Sequence, residues 1–140
     1  MEKRSKSTVD WDRALAEKPG WEGLRIWWLI DRDEVGIPGA TMNLVDFPPQ
    51  TAHEVHRHTN APEISYIETG SGLLTSDGAP IRIDSGEVAI AAAGEWHGFY
   101  NDTDEVARMV TFWPGVDRYA DLAYDILPNW RETLELPTQS

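Results

Sequence analysis

His56-Arg57-His58, with Glu63 after four intervening residues and His97 further on, gathers four metal-ligand side chains into two short windows. The chain has only four histidines, and three of them stand here. On an extended strand, side chains at i and i+2 point to the same face, so His56 and His58 can present two imidazoles to one point in space. Glu63 lies an odd number of residues from His58 and would face the other way on an unbroken strand. Thr59-Asn60-Ala61-Pro62 breaks that strand, and a turn there lets the chain return as a neighbouring strand whose first inward residue is Glu63. Three neutral imidazoles and one carboxylate suit a borderline divalent transition ion, Fe, Mn, Ni, Cu, Co or Zn, better than the all-oxygen shells of Mg and Ca. An octahedral ion held this way keeps two positions open, as chemistry requires. Structural zinc is usually closed off by four ligands, often thiolates, and this chain has no cysteine.

Two longer patterns carry these residues. G-x5-H-x-H-x4-E-x6-G falls on Gln50, His56, His58, Glu63 and Gly70, and G-x5-P-x-G-x2-H-x3-N falls on Gly86, Ala92, Gly94, His97 and Asn101, with eight of the ten positions matching. Together they resemble the two motifs of the cupin family. Gln50 replaces a Gly and Ala92 a Pro, both at turn positions rather than ligands, and the 15 residues 71–85 between the motifs resemble the short spacing of small single-domain microbial cupins. The resemblance implies an all-β fold, a single-domain cupin jelly-roll β-barrel. It implies one divalent transition metal on His56, His58, Glu63 and His97, with Fe(II) first and Mn, Ni, Zn, Co or Cu as alternatives. It also implies an enzyme acting on a small organic molecule inside the barrel. Cupins with three His and one Glu resemble dioxygenases such as those for acireductone and flavonols, which puts a dioxygenase-type oxidoreductase first. The same ligand set can instead serve a redox-neutral lyase, isomerase, decarboxylase or cyclase, and a third reading is a non-catalytic cupin that senses a small ligand or metal.

The rest of the sequence supplies elements that can position such a site. Short runs rich in aromatic or β-branched residues recur at 24–30, 40–47, 64–67, 72–75, 81–83, 88–91, 98–100 and 106–112, with Gly, Asp or Asn where the backbone must reverse between them. Many short strands evenly spaced predict a closed or two-sheet antiparallel architecture. Helix is expected only at the ends: 10–18, stopped by Pro19-Gly20, and 117–126, stopped by Pro128. The chain therefore reads as an N-terminal extension with a short helix (1–20), a barrel (21–116) and a C-terminal helix with a tail (117–140).

Strand parity nominates the cavity wall. Counting from Glu63, the inward set is Ser65 and Ile67; counting from His97, it is Phe99 and Asn101. The closing strand offers Ala107, Met109, Thr111 and Trp113 or the opposite set, and Met109 is taken as inward. Trp27 and Trp28 are adjacent, so one faces in and one out; Trp27 is assigned to the cavity, and the out-facing ring implies a covered surface and a homodimer. His53, three residues before His56, is placed in a loop, either as an acid–base group beside the metal or solvated on the rim.

Composition bounds the partners. The 140 residues, 41% hydrophobic, fit one domain with one core. A net charge of −12 and a pI near 4.6 argue against nucleic acid, and residues 1–20 are too few for a helix-turn-helix domain. No apolar stretch is long enough to span a bilayer, and the charged start Met1-Glu-Lys-Arg-Ser-Lys is not followed by an apolar signal region. Together with the absence of cysteine this gives a cytoplasmic expectation, with a small molecule as the substrate.

Overall fold

The computed structural model describes residues 1–34 and 37–136. In chain order the elements are α1 (Arg13–Ala16), β1 (Arg25–Ile30), β2 (Ala40–Phe47), β3 (Ala52–Arg57), β4 (Glu63–Thr69), β5 (Ser71–Thr75), β6 (Ile81–Asp84), β7 (Val88–Ala91), β8 (His97–Tyr100), β9 (Ala107–Pro114), β10 (Asp125–Ile126) and α2 (Trp130–Thr133). Two five-stranded antiparallel sheets, in the orders β1-β2-β9-β4-β7 and β10-β3-β8-β5-β6, make the expected all-β jelly roll.

Period-two patterning decides what faces the interior. Along β2, Thr41, Asn43, Val45 and Phe47 are buried while their neighbours are only half-buried, and β9 repeats this with Ala107, Met109, Thr111 and Trp113. The open alternative for the closing strand thus resolves to the Met109 set. Ile26, Val45, Phe47, Ile67, Phe99 and Met109 form the core between the sheets. On β1, Trp28 turns inward with Ile26. Trp27 lies on the outer face, where the Lys6 ammonium sits 4.5 Å from its ring centroid. The ring expected in the cavity is therefore outside it, and its cover comes from the same chain.

The termini depart most from expectation. The helix expected over 10–18 shrinks to α1, because the Asp12 carboxylate accepts from the Leu15 N–H at 3.0 Å and so starts the helix late. No helix forms over 117–126. Instead Tyr119–Asp121 makes one 3-10 turn, and Asp125 and Ile126 pair with Arg57 and His56 of β3. Long-range partners override helical propensity here: the Asp31 carboxylate accepts from the Tyr119 N–H at 2.8 Å, and the Asn60 side chain bridges the Ala123 N–H and the Asp121 carbonyl. The C-terminal helix follows Pro128 instead, with Trp130 buried beside Ala52 and Val55. Among the described residues no helix is long and apolar enough to cross a membrane.

Asn101, expected in the cavity, is fully buried but clamps a corner. Its Nδ2 donates to the carbonyls of Phe47 (2.9 Å) and Glu105 (2.6 Å), and its Oδ1 accepts from the N–H and hydroxyl of Thr103. Asn101→Ala leaves buried carbonyls without a donor, so it is expected to cost about 2 to 4 kcal/mol in urea unfolding while leaving metal binding unchanged. A variant as stable as the parent would show that water replaces the clamp.

Candidate metal centre

Three elements and one turn bring the four ligand candidates together. His56 lies on β3, directly opposite His97 at the start of β8. Glu63 opens β4, as strand re-entry after Pro62 predicts, and His58 stands just beyond β3, with its carbonyl accepting from the Gly94 N–H at 2.7 Å. One suitable atom from each of the four residues lies within 4.8 Å of the others. The Nε2 atoms of His97, His58 and His56 stand 2.8, 3.1 and 3.8 Å from Glu63 Oε2.

Backbone carbonyls fix which nitrogen each imidazole offers. The Nδ1 atoms of His56, His58 and His97 lie 2.9, 2.9 and 2.8 Å from the carbonyl oxygens of Glu54, Ala123 and Glu95. A carbonyl only accepts, so each Nδ1 carries the proton and each Nε2 is left to ligate. That tautomer set, aimed at one carboxylate, fits a divalent transition ion. Glu63 is oriented further by the Trp113 indole, whose Nε1–H donates to Oε2 at 3.1 Å, and by the Ser65 hydroxyl, which donates to Oε1 at 3.3 Å.

Charge follows this geometry. Burial alone would raise Glu63, but the His97 charge and the bonds from the imidazoles win and hold its carboxyl well below the usual range. Burial lowers His56. For His97 burial acts in the same direction, yet the Glu63 carboxylate overcomes it and raises the imidazole above its ordinary value. A metal bound here takes the place of the proton that His97 shares with Glu63.

His53 is on β3, not in a loop. It stands three positions before His56, which on a regular strand would put the two on opposite faces; a bulge between them turns both inward. Its Nδ1–H donates to the Gly20 carbonyl at 2.9 Å, and its ring packs on Trp21 at 3.8 Å between centroids. Gly20 adopts φ +85°, and a Cβ there would overlap the Glu54 carboxylate, so the Pro19-Gly20 turn requires glycine. Burial, then the neighbouring His56, holds His53 well below the ordinary imidazole range.

Beside the four ligand candidates lies a largely apolar cavity. Its wall includes His53, Ser65, Phe99 and Met109 from the sequence-based set. Ile67 is buried in the core without reaching the wall, and Asn101 and Trp27 lie elsewhere as described. The sequence reading missed Trp21, Tyr119 and Asn43 on the wall, and Tyr124 behind it. Tyr124 stacks on His56 (4.7 Å, 10°) and donates its hydroxyl proton to the buried Glu54 at 2.6 Å. Parity along β2 was signal enough for Asn43. Nothing local marks Tyr124, since its position depends on 117–126 not being helical.

A family profile described as a cupin domain matches residues 43–113, slightly more than half of the chain. The chain belongs to the cupin family. Solved structures agree on the fold. The polyketide cyclase RemF from Streptomyces resistomycificus is 20% identical, with 93% of this cupin and 89% of that chain covered at a TM-score of 0.75. A predicted oxalate decarboxylase from Thermotoga maritima is 22% identical, with 83% and 100% covered at 0.71. An oxalate oxidase bound to the substrate analogue glycolate is 23% identical, with 89% and 63% covered at 0.67. At these identities the likeness establishes the cupin barrel and leaves the reaction to the site itself.

Proposed function

We propose that this cupin is a mononuclear metal-dependent enzyme that moves a proton on a neutral, largely apolar small molecule, in redox-neutral chemistry of the cyclase, isomerase or lyase kind. His53 carries the reading. With Nδ1–H tied to Gly20, its Nε2 holds a lone pair at the cavity wall; the Tyr124 oxygen stands 3.5 Å away, but its one proton goes to Glu54. Nε2 is thus left to accept a proton from a bound molecule. None of the cavity-lining residues is Lys or Arg, which favours a neutral substrate over a small dianion. A divalent transition ion on His56, His58, Glu63 and His97 would supply Lewis-acid polarisation of a carbonyl or, as Fe(II), activation of dioxygen. Trp113 and Ser65 hold the Glu63 carboxylate in place, while Trp21, Leu24 and Phe99 exclude water.

The dioxygenase reading comes second, supported by the apolar wall, into which dioxygen partitions readily, and by a ligand set that suits Fe(II). Metal analysis of protein purified without added metal, followed by turnover of enolic and aromatic compounds with and without oxygen, separates the readings. Zn or Mn with oxygen-independent turnover supports the proposal. Stoichiometric Fe with oxygen uptake supports the dioxygenase, and tight ligand retention without turnover supports a sensor. His53→Ala is expected to lower turnover about 10²- to 10⁴-fold with metal content unchanged, and undiminished turnover would remove His53 from the chemistry.

The working form is a cytoplasmic homodimer. Its support is no longer Trp27 but the outer face of the first sheet, where Leu44, Val110, Tyr66 and Val88 form one cross-strand row and Met42, Phe112, Ile64 and Ile90 the next. Ile90 is 69% and Val88 54% exposed, and the two rows contain no charge to oppose a second copy of an acidic chain. Light scattering is expected to give twice 15.8 kDa; a mass near 15.8 kDa at micromolar concentration would contradict it.

A further inference from the structure

The inner face of the first sheet carries a polar row that the metal chemistry does not use. Asn43 on β2 stands opposite Thr111 on β9, which stands opposite Ser65 on β4, and all three line the cavity. Ser65 serves Glu63, but Asn43 serves nothing. It is 2% exposed, and its Oδ1 is buried with no hydrogen-bond partner. Thr111, its cross-strand neighbour, makes no hydrogen bond to that oxygen, and Val45 and Met109 on the same wall are apolar. An unpaired buried amide is a cost to folding, and asparagine is a poor strand residue in any case. Leucine or valine would suit the inward side of β2 better on every structural ground. A group kept there against that cost has its partner in a bound molecule.

We propose that Asn43, with the Thr111 hydroxyl beside it, is the second anchoring point of the substrate and reads a hydroxyl at the end remote from the metal ligands. This rests on the proposed reading of the cavity as a site for a neutral apolar molecule. An amide offers one acceptor and one donor, so its best neutral match is a phenolic or enolic hydroxyl, which both donates and accepts. Position sets the length of the ligand. Asn43 lies two residues along the strand direction and two strands across from Glu63, roughly 12 Å between backbones at ordinary strand spacings. Both side chains rise from the same face of one sheet, so a flat, fused two-ring molecule with an oxygen at each end fits the gap once a polar contact at either end is added. The substrate class is thus an oxygenated bicyclic or longer compound with oxygens at both ends and an apolar middle.

The test compares 2,7-dihydroxynaphthalene with 2-naphthol, which differ only by the distal hydroxyl. Binding to zinc-loaded protein is measured by calorimetry for the parent and for Asn43→Leu. The parent is expected to prefer the diol by roughly tenfold or more, and Asn43→Leu to lose that preference while binding 2-naphthol at least as well. Asn43→Leu is also expected to raise the urea midpoint, which a residue kept for structure would not do. Asn43→Ser, which replaces the amide by a hydroxyl that can still donate and accept, should retain part of the preference. Binding of both naphthols with equal affinity in the parent, or a preference that survives Asn43→Leu, would overturn the assignment of Asn43 and leave the apolar-substrate reading standing. Binding of neither naphthol would overturn both.

Discussion

His58→Ala is expected to release the metal. The imidazole is 1% exposed, its Nδ1–H is spent on the Ala123 carbonyl, and its Nε2 points at Glu63 Oε2 from 3.1 Å. No other side chain can take its place, because the neighbouring directions are filled by Trp113 and Tyr124. Loss of a group that merely orients a ligand weakens metal affinity about 10- to 100-fold, so loss of a ligand itself should cost at least about 100-fold. Dialysis followed by elemental analysis checks this. His56→Ala should behave alike. Glu63→Ala should retain more metal, since three imidazoles still chelate. His53→Ala serves as the control, being beside the centre but bonded to Gly20 instead of aimed at Glu63. Full occupancy in His58→Ala would remove His58 from the ligand set.

Acidification is expected to empty the site before it unfolds the chain. Metal competes with protons for the imidazole Nε2 atoms, so every proton that must leave on binding weakens apparent affinity about tenfold per pH unit of acidification. The protons do not leave together. Burial holds His56 below the ordinary imidazole value, whereas Glu63 raises His97 above it despite burial. Near neutrality, therefore, the proton on His97 contributes to the slope and that on His56 hardly does. The slope steepens as the pH falls through the imidazole range and His56 joins. Glu63, held well below the usual carboxylate range, stays ionised throughout and adds nothing to the slope. Titration of bound metal from pH 8 to pH 5 should show this curvature. Occupancy that stays full at pH 5 would point to an all-oxygen site.

What could be read from the sequence, and what could not, divides along the range of the interactions involved. The His56-x-His58 pair and the strands at 40–47 and 106–112 follow from local alternation, and alternation is a property of a strand wherever it lies. Glu63 was reachable because Pro62 must end one strand and start another. His53 was misplaced by a single bulge, which shifts parity without leaving a signature in residue type. Tyr124 was out of reach for a different reason. Residues 117–126 have helix-compatible spacing, and partners far away in sequence, among them Asp31, Asn60, Arg57 and His58, keep them out of an α-helix. Asn101 looked like a cavity residue from parity alone. Its amide instead holds the carbonyls at the end of β2, a demand that becomes visible only once the ends of β2 and β8, from different sheets, are brought together.

X-ray absorption at the metal edge, on protein loaded with one equivalent of the ion it carries when purified, tests the centre most directly. Three imidazole nitrogens and one carboxylate oxygen at about 2.0 to 2.2 Å, with the multiple-scattering pattern of imidazole rings, are predicted, and that imidazole signal should weaken in His58→Ala. A shell of oxygen alone, or a spectrum unchanged by His58→Ala, would contradict the assignment of His56, His58, Glu63 and His97 to one mononuclear site.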